Sequence, residues 1–136
     1  MILSASPLEL TRLLYQRAIA SVREAREHLA ERRITERGKA INRAYLILIE
    51  LSVSLRAEAA PELTARLSGL YGYMQKRLLD ANLRQQDEPL AEVLGLLTTL
   101  AEAWSAIPDA AAAPAISANP WSSAMRDDTV RIAVSA

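Results

Sequence analysis

Leu70-Tyr71-Gly72-Tyr73-Met74-Gln75-Lys76-Arg77-Leu78-Leu79-Asp80-Ala81-Asn82 decides the fold. Leu70, Met74, Leu78 and Ala81 recur at three- and four-residue steps, the spacing of one helix face. Leu79, with Leu83 just beyond, falls on the far side. Tyr71 reads as core edge and Tyr73 as the opposite flank. The segment therefore predicts a helix packed on one side and still apolar on the other.

The same reading extends outward. Pro61 fits a first helical position, so this helix runs from there to about Arg84. Asp87 followed by Glu88 and Pro89 opens another, ended by Pro108. Upstream, Ser6-Pro7-Leu8-Glu9 has the form of a capping box, with Ser6 as N-cap. The series Leu10, Leu14, Ala18, Val22, Ala25, Leu29 carries that first helix to about Arg32. Thr35 is the expected cap of the second, which runs to about Arg56. Short connections make neighbours antiparallel. The expectation is all-α: an antiparallel up-down-up-down four-helix bundle over 1–107. Residues 108–136, opening with Asp109 and four alanines before Pro114, are expected to be a linker and C-terminal tail.

Composition agrees. The chain has 136 residues, 51% hydrophobic, with 4 Gly and no Phe; Leu and Ala supply good helix formers. Lys+Arg and Asp+Glu are both 16, so the basic surplus of a nucleic-acid binder is missing. No Cys is present, which removes disulfide frameworks and thiolate metal sites. The N-terminus lacks the pattern of a signal peptide, and no apolar run is long enough to span a membrane. The cytoplasm is the expected compartment.

Reactive chemistry finds little support. His28 is the lone histidine and is followed by Leu29, Ala30, Glu31 and Arg32, which does not make a phosphotransfer site. A di-iron bundle needs two Glu-x-x-His pairs. No phosphate loop, nucleophile elbow or zinc motif occurs, so no catalytic residue, metal or cofactor is expected. One enzymatic reading stays open, a small helical enzyme with a pocket lined by Arg12, Arg43, Lys76 and Arg77.

The informative surplus is apolar. On the second helix Ile41, Ala44, Leu48, Leu51 and Leu55 suffice for a core stripe, yet Leu46, Ile49 and Val53 point roughly the other way with Tyr45 at the flank. The third buries Leu63 and Leu67 with the residues above. The fourth buries Leu90, Val93, Leu94, Leu97, Ala101 and Trp104, leaving Leu96, Ala103 and Ile107 off the stripe. Small bundles bury few helices all round, so two-sided helices mean either a wide core stripe with scattered exposed leucines, which is normal, or a binding groove, and a surplus shared by three helices favours the groove. Tyr45, Leu46, Ile49, Val53, Leu79, Leu83, Leu96 and Ala103 are the expected contact positions. Gly69 and Gly72, which weaken the third helix, would suit close approach by another helix or by a client, or are simply tolerated. A self-associating helical adaptor would use the same surplus.

The pattern Leu-Tyr-x-Tyr-Met-x-x-Arg-Leu-x-x-Ala-Asn resembles the flagellar secretion chaperone FliS family. Ser6-Pro7-Leu8-Glu9-Leu10 with Leu14-Tyr15, Arg43-Ala44 with Ile49-Glu50-Leu51 and Leu55, and Leu94, Leu97, Leu100 and Trp104 fit it in order. The resemblance covers roughly residues 4–104. It implies a non-enzymatic bundle that holds the disordered C-terminal segment of flagellin, prevents premature polymerisation and delivers it to the flagellar type III export apparatus. It also implies docking to export-gate components, helped by a segment ahead of the Ser-Pro; this chain starts almost at Ser-Pro, which leaves open whether that docking survives, with export-gate components kept as a candidate partner. A homodimer in the client's absence is compatible with the same surplus. The tail around Trp121 or residues 130–134 is expected to cover the groove when no client is bound.

Overall fold

The computed structural model describes residues 6–107, without the side chains of Ala57 and Glu58. The expected tail, 108–136, lies outside the described residues. Four helices follow in order, α1 (Pro7–Ala30), α2 (Ile34–Glu58), α3 (Pro61–Arg84) and α4 (Glu88–Ser105), with no strand among the described residues. α1 packs against α2 and α4, and α3 against the same two, so the helices form a closed square around one core.

The helix ends follow local chemistry. Ser6 Oγ accepts the Glu9 N–H at 3.1 Å, and Pro7 occupies the first turn, where no amide is needed. Pro61 opens α3 in the same way. Two expected caps differ. α2 begins at Ile34 after Arg33, not behind Thr35, and makes no side-chain cap bond. Asp87 precedes α4 without capping it; its carboxylate instead takes two hydrogen bonds from Arg26 at 2.8 and 2.9 Å. A bidentate guanidinium partner outcompetes an exposed backbone amide. Gln85 closes α3 in the left-handed region at φ 54°, and Arg32 turns between α1 and α2 at φ 60°.

The core is mostly the expected one. Ile41, Ala44, Leu48, Leu51 and Leu55 of α2 are buried, as are Leu63, Leu67, Met74, Leu78 and Ala81 of α3 and Leu90, Val93, Leu97, Ala101 and Trp104 of α4. Three readings need correction. In α1 the buried series is Leu8, Tyr15, Ala18, Ile19, Val22 and Ala25, whereas Leu10, Leu14 and Leu29 are half-buried. In α3 Tyr71 is fully buried and Leu70 only half-buried. In α4 Ala103 and Ile107 are buried, and Leu94 is only half-buried. Two of these shifts have one cause. The Tyr15 and Tyr71 hydroxyls share a hydrogen bond of 2.6 Å inside the core, so both phenols can be buried whole. The Trp104 ring lies against Tyr15, centroids 6.4 Å apart. Ala103 is buried because α4 faces two neighbours, α1 and α3, which widens its apolar stripe.

Arg12 fastens the end of α4. Its guanidinium donates from Nε to the Trp104 carbonyl at 3.1 Å and also to the Ile107 carbonyl. Terminal carbonyls of α4 thus find a charged donor on α1.

Candidate client-binding face

Five of the eight expected contact residues are exposed apolar side chains: Leu46, Ile49, Val53, Leu79 and Leu83. The spacing 46, 49, 53 keeps three of them on one line along the outer side of α2. Tyr45 and Leu96 are half-buried and packed against the core. Ala103 is 1% exposed and offers nothing to a partner, correcting its place among the contact positions.

The first helix supplies what sequence reading assigned to the core. Leu10, Leu13, Leu14 and Arg17 of α1 line a cleft of about 460 Å³ with Ile49, Glu50, Val53 and Ser54 of α2. A second cleft of about 460 Å³ adjoins it, sharing Leu14, Arg17 and Glu50 and adding Leu46 and Ile47. Together they form one groove along the α1/α2 seam. Its length from Leu10 to Glu24 is about 21 Å at 1.5 Å per residue. Glu24 and Arg43 close its far end with an ion pair at 2.6 Å. Arg17 and Glu50, at the middle, make no hydrogen bond or ion pair among the described residues. Leu13 was detectable in the sequence: it stands on neither the expected core stripe nor a polar face.

A second strip lies on α3. Gly69, Gly72, Lys76, Leu79 and Leu83 recur at three- and four-residue steps, and all are exposed. Gln75 donates to the Tyr45 carbonyl at 3.5 Å and Arg37 to the Asn82 side chain at 3.1 Å, which sets the antiparallel register of α2 and α3. By that register Ile49 is about level with Gly72. A Cβ added at Gly69 or Gly72 would meet nothing within 4 Å, so close packing against a neighbouring helix of the bundle does not explain these glycines. They leave a flat strip between the α2 stripe and Leu79.

The polar contacts of α3 with α4 lie away from this face. Arg77 binds Glu92 at 2.7 Å and reaches Glu88 at 3.4 Å on α4. Tyr73 donates to Glu92 as well. The hydrogen bond from the Tyr73 hydroxyl holds the Glu92 carboxyl below its ordinary range; burial opposes it, and Arg77 adds to the lowering. Arg12 works at the α1/α4 seam, Arg43 at α1/α2 and Arg77 at α3/α4, so these arginines do not converge on one pocket. His28 accepts from Arg33 at 3.0 Å. No group of three or more His, Cys, Asp or Glu residues is placed to hold a metal among the described residues, and no helix of the described residues is long and apolar enough to cross a membrane.

A square helical bundle with apolar surface over three helices is the context in which the family comparison is decisive. The model of the flagellar protein FliS family matches residues 1–111. The chain belongs to the FliS family. The flagellar secretion chaperone FliS of Salmonella typhimurium is 38% identical over 107 residues, covering 78% of this chain and 79% of the relative. That of Escherichia coli is 34% identical, with 76% of each chain covered, and that of Bacillus subtilis 32% identical, with 74% of each covered. The chain is thus a flagellar secretion chaperone by family, and the Leu70–Asn82 signature sits within the matched region.

Proposed function

We propose that this FliS-family chain holds the disordered C-terminal segment of flagellin on the α1–α2–α3 face, prevents its premature polymerisation, and delivers it to the flagellar type III export apparatus. The reading places the protein in the cytoplasm, without cofactor and without a covalent step. The observation that carries it is the groove lined by Leu10, Leu13, Leu14, Ile49 and Val53, continued by exposed Leu79 and Leu83. Burying about six such side chains yields roughly 9–18 kcal/mol gross, at about 1.5–3 kcal/mol each. Association entropy and ordering of the client consume much of that, and the surplus is enough for micromolar or tighter binding. A disordered client that folds as an amphipathic helix seats anchors at i, i+3, i+4 and i+7 in such a groove.

The test is titration calorimetry with a flagellin C-terminal peptide against the full chain and the double variant Ile49→Asp/Leu83→Asp. Both positions are exposed, so the helical circular dichroism spectrum stays unchanged while binding is lost. Normal binding by a folded double variant would remove this face from consideration. Any homodimer formed through the same apolar surface dissociates when the peptide is added, which mass measurement detects.

A further inference from the structure

We infer that residues 129–134 of this chain, Thr-Val-Arg-Ile-Ala-Val, dock in the α1/α2 groove and compete with the client there. The inference concerns regulation of the site proposed above and rests on that reading only for the word client.

The bundle ends beside the groove. The Ile107 carbonyl is bonded to Arg12, and Arg12 stands on α1 between groove residues Leu10 and Leu13. The chain therefore leaves the bundle on the flank of the very helix that forms one wall, about one helix diameter, 10–12 Å, from the opening. Residues 108–128 separate this exit from the docking segment. At up to about 3.3 Å per residue such a connection extends to roughly 70 Å, against the groove's length of about 21 Å, so its length does not limit access. Tethering at this scale gives an effective concentration of order millimolar, so a weak interaction suffices to occupy the site.

The segment matches the groove in chemistry. Val130, Ile132 and Val134 place three β-branched apolar side chains at alternate positions, which fall on one side of an extended chain. The groove floor offers Leu10, Leu13, Leu14, Ile49 and Val53. Midway along it, Glu50 and Arg17 have no partner among the described residues. Arg131 supplies the cation for Glu50, and Asp127 and Asp128 just ahead supply the anion for Arg17. The sequence around Trp121 offers one large apolar side chain between uncharged neighbours and matches neither charge.

The absence of cysteine gives a clean probe. A nitroxide on Ser135→Cys in the full chain should broaden the methyl signals of Leu13, Leu46, Ile49 and Val53 and spare those of Leu79 and Leu83. Adding Val130→Asp/Ile132→Asp/Val134→Asp to the same chain should abolish that selectivity. The unlabelled triple variant should bind the flagellin C-terminal peptide two- to tenfold more tightly than the parent. Uniform broadening, or none, in the labelled parent overturns the inference, as does unchanged affinity of the triple variant. Selective broadening in a chain that binds no flagellin peptide leaves the docking segment in place and removes flagellin as the client. Peptide binding without selective broadening does the reverse.

Discussion

At the scale of single residues, the Tyr15–Tyr71 pair shows how a polar bond fixes a core. Burial pushes the Tyr15 hydroxyl up to about 12, and Tyr71, buried beside it, is raised as well. Both phenols are thus neutral in the folded state well above the pH at which an unfolded tyrosine ionises, near 10. Above that pH the unfolded chain releases protons that the folded chain retains, so stability falls as pH rises from about 10 towards 12. Tyr15 alone accounts for about 1.4 kcal/mol of loss by pH 11, one unit above its ordinary value. Urea midpoints at pH 9 and pH 11 should show this fall in the parent and much less of it in Tyr15→Phe/Tyr71→Phe. The single variants test the bond itself. Tyr15→Phe leaves the Tyr71 hydroxyl buried without its partner and should cost about 1–3 kcal/mol, Tyr71→Phe leaves Tyr15 its bond to Trp104 and should cost less, and the double variant is less destabilised than the sum of the two. Additive losses would show that the hydroxyls do not support each other.

Among the elements, all four helices are legible, because proline at the starts of α1, α3 and α4, short turns and apolar stripes agree with one another. The buried face of α1 is legible only in part, for a physical reason. Two apolar series run along it, Leu10–Leu14 and Leu8–Tyr15–Ile19, and periodicity weighs leucine above tyrosine. The hydroxyl partner on α3, 56 residues away, allows Tyr15 to be buried whole, and a long-range partner leaves no local trace. The same fact hid half of the groove, since Leu10 and Leu14 were allotted to the core. The α2 stripe Leu46, Ile49 and Val53 and the α3 pair Leu79 and Leu83 were readable because their exposure follows from helical phase alone. Ala103 was misplaced because α4 is covered on two sides. The two glycines of α3 carry a prediction at this scale. Their missing Cβ atoms meet nothing in the bundle, so Gly69→Ala and Gly72→Ala should each stabilise the chain by about 0.5–1 kcal/mol. If the flat strip receives the client, the same changes weaken flagellin-peptide binding while raising the melting temperature. Tighter or unchanged binding would mean that the client does not cross α3.

For the whole molecule, the decisive matter is that the apolar surface lies on two sides of α2. The α1/α2 groove is one side and the Gly69–Leu83 strip the other. One extended client crossing both would gain from each without a second association penalty, because its two halves are covalently joined. This geometry makes a measurable distinction. With a peptide long enough to cover both, Ile49→Ala and Leu83→Ala should each lower affinity by roughly tenfold, near the lower limit of about 1.5 kcal/mol for burial of such a side chain, and the two losses should add, as expected of separated sites. Shortening the peptide from one end should abolish the response to one substitution and retain the response to the other; shortening it from the opposite end should exchange them. Ionic strength should matter little for the long peptide, because apolar burial dominates and surface ion pairs contribute about 0–1 kcal/mol. A short peptide that stayed sensitive to both substitutions would instead place a single compact site on the bundle, and a response to neither would put the client on a face other than α1–α2–α3.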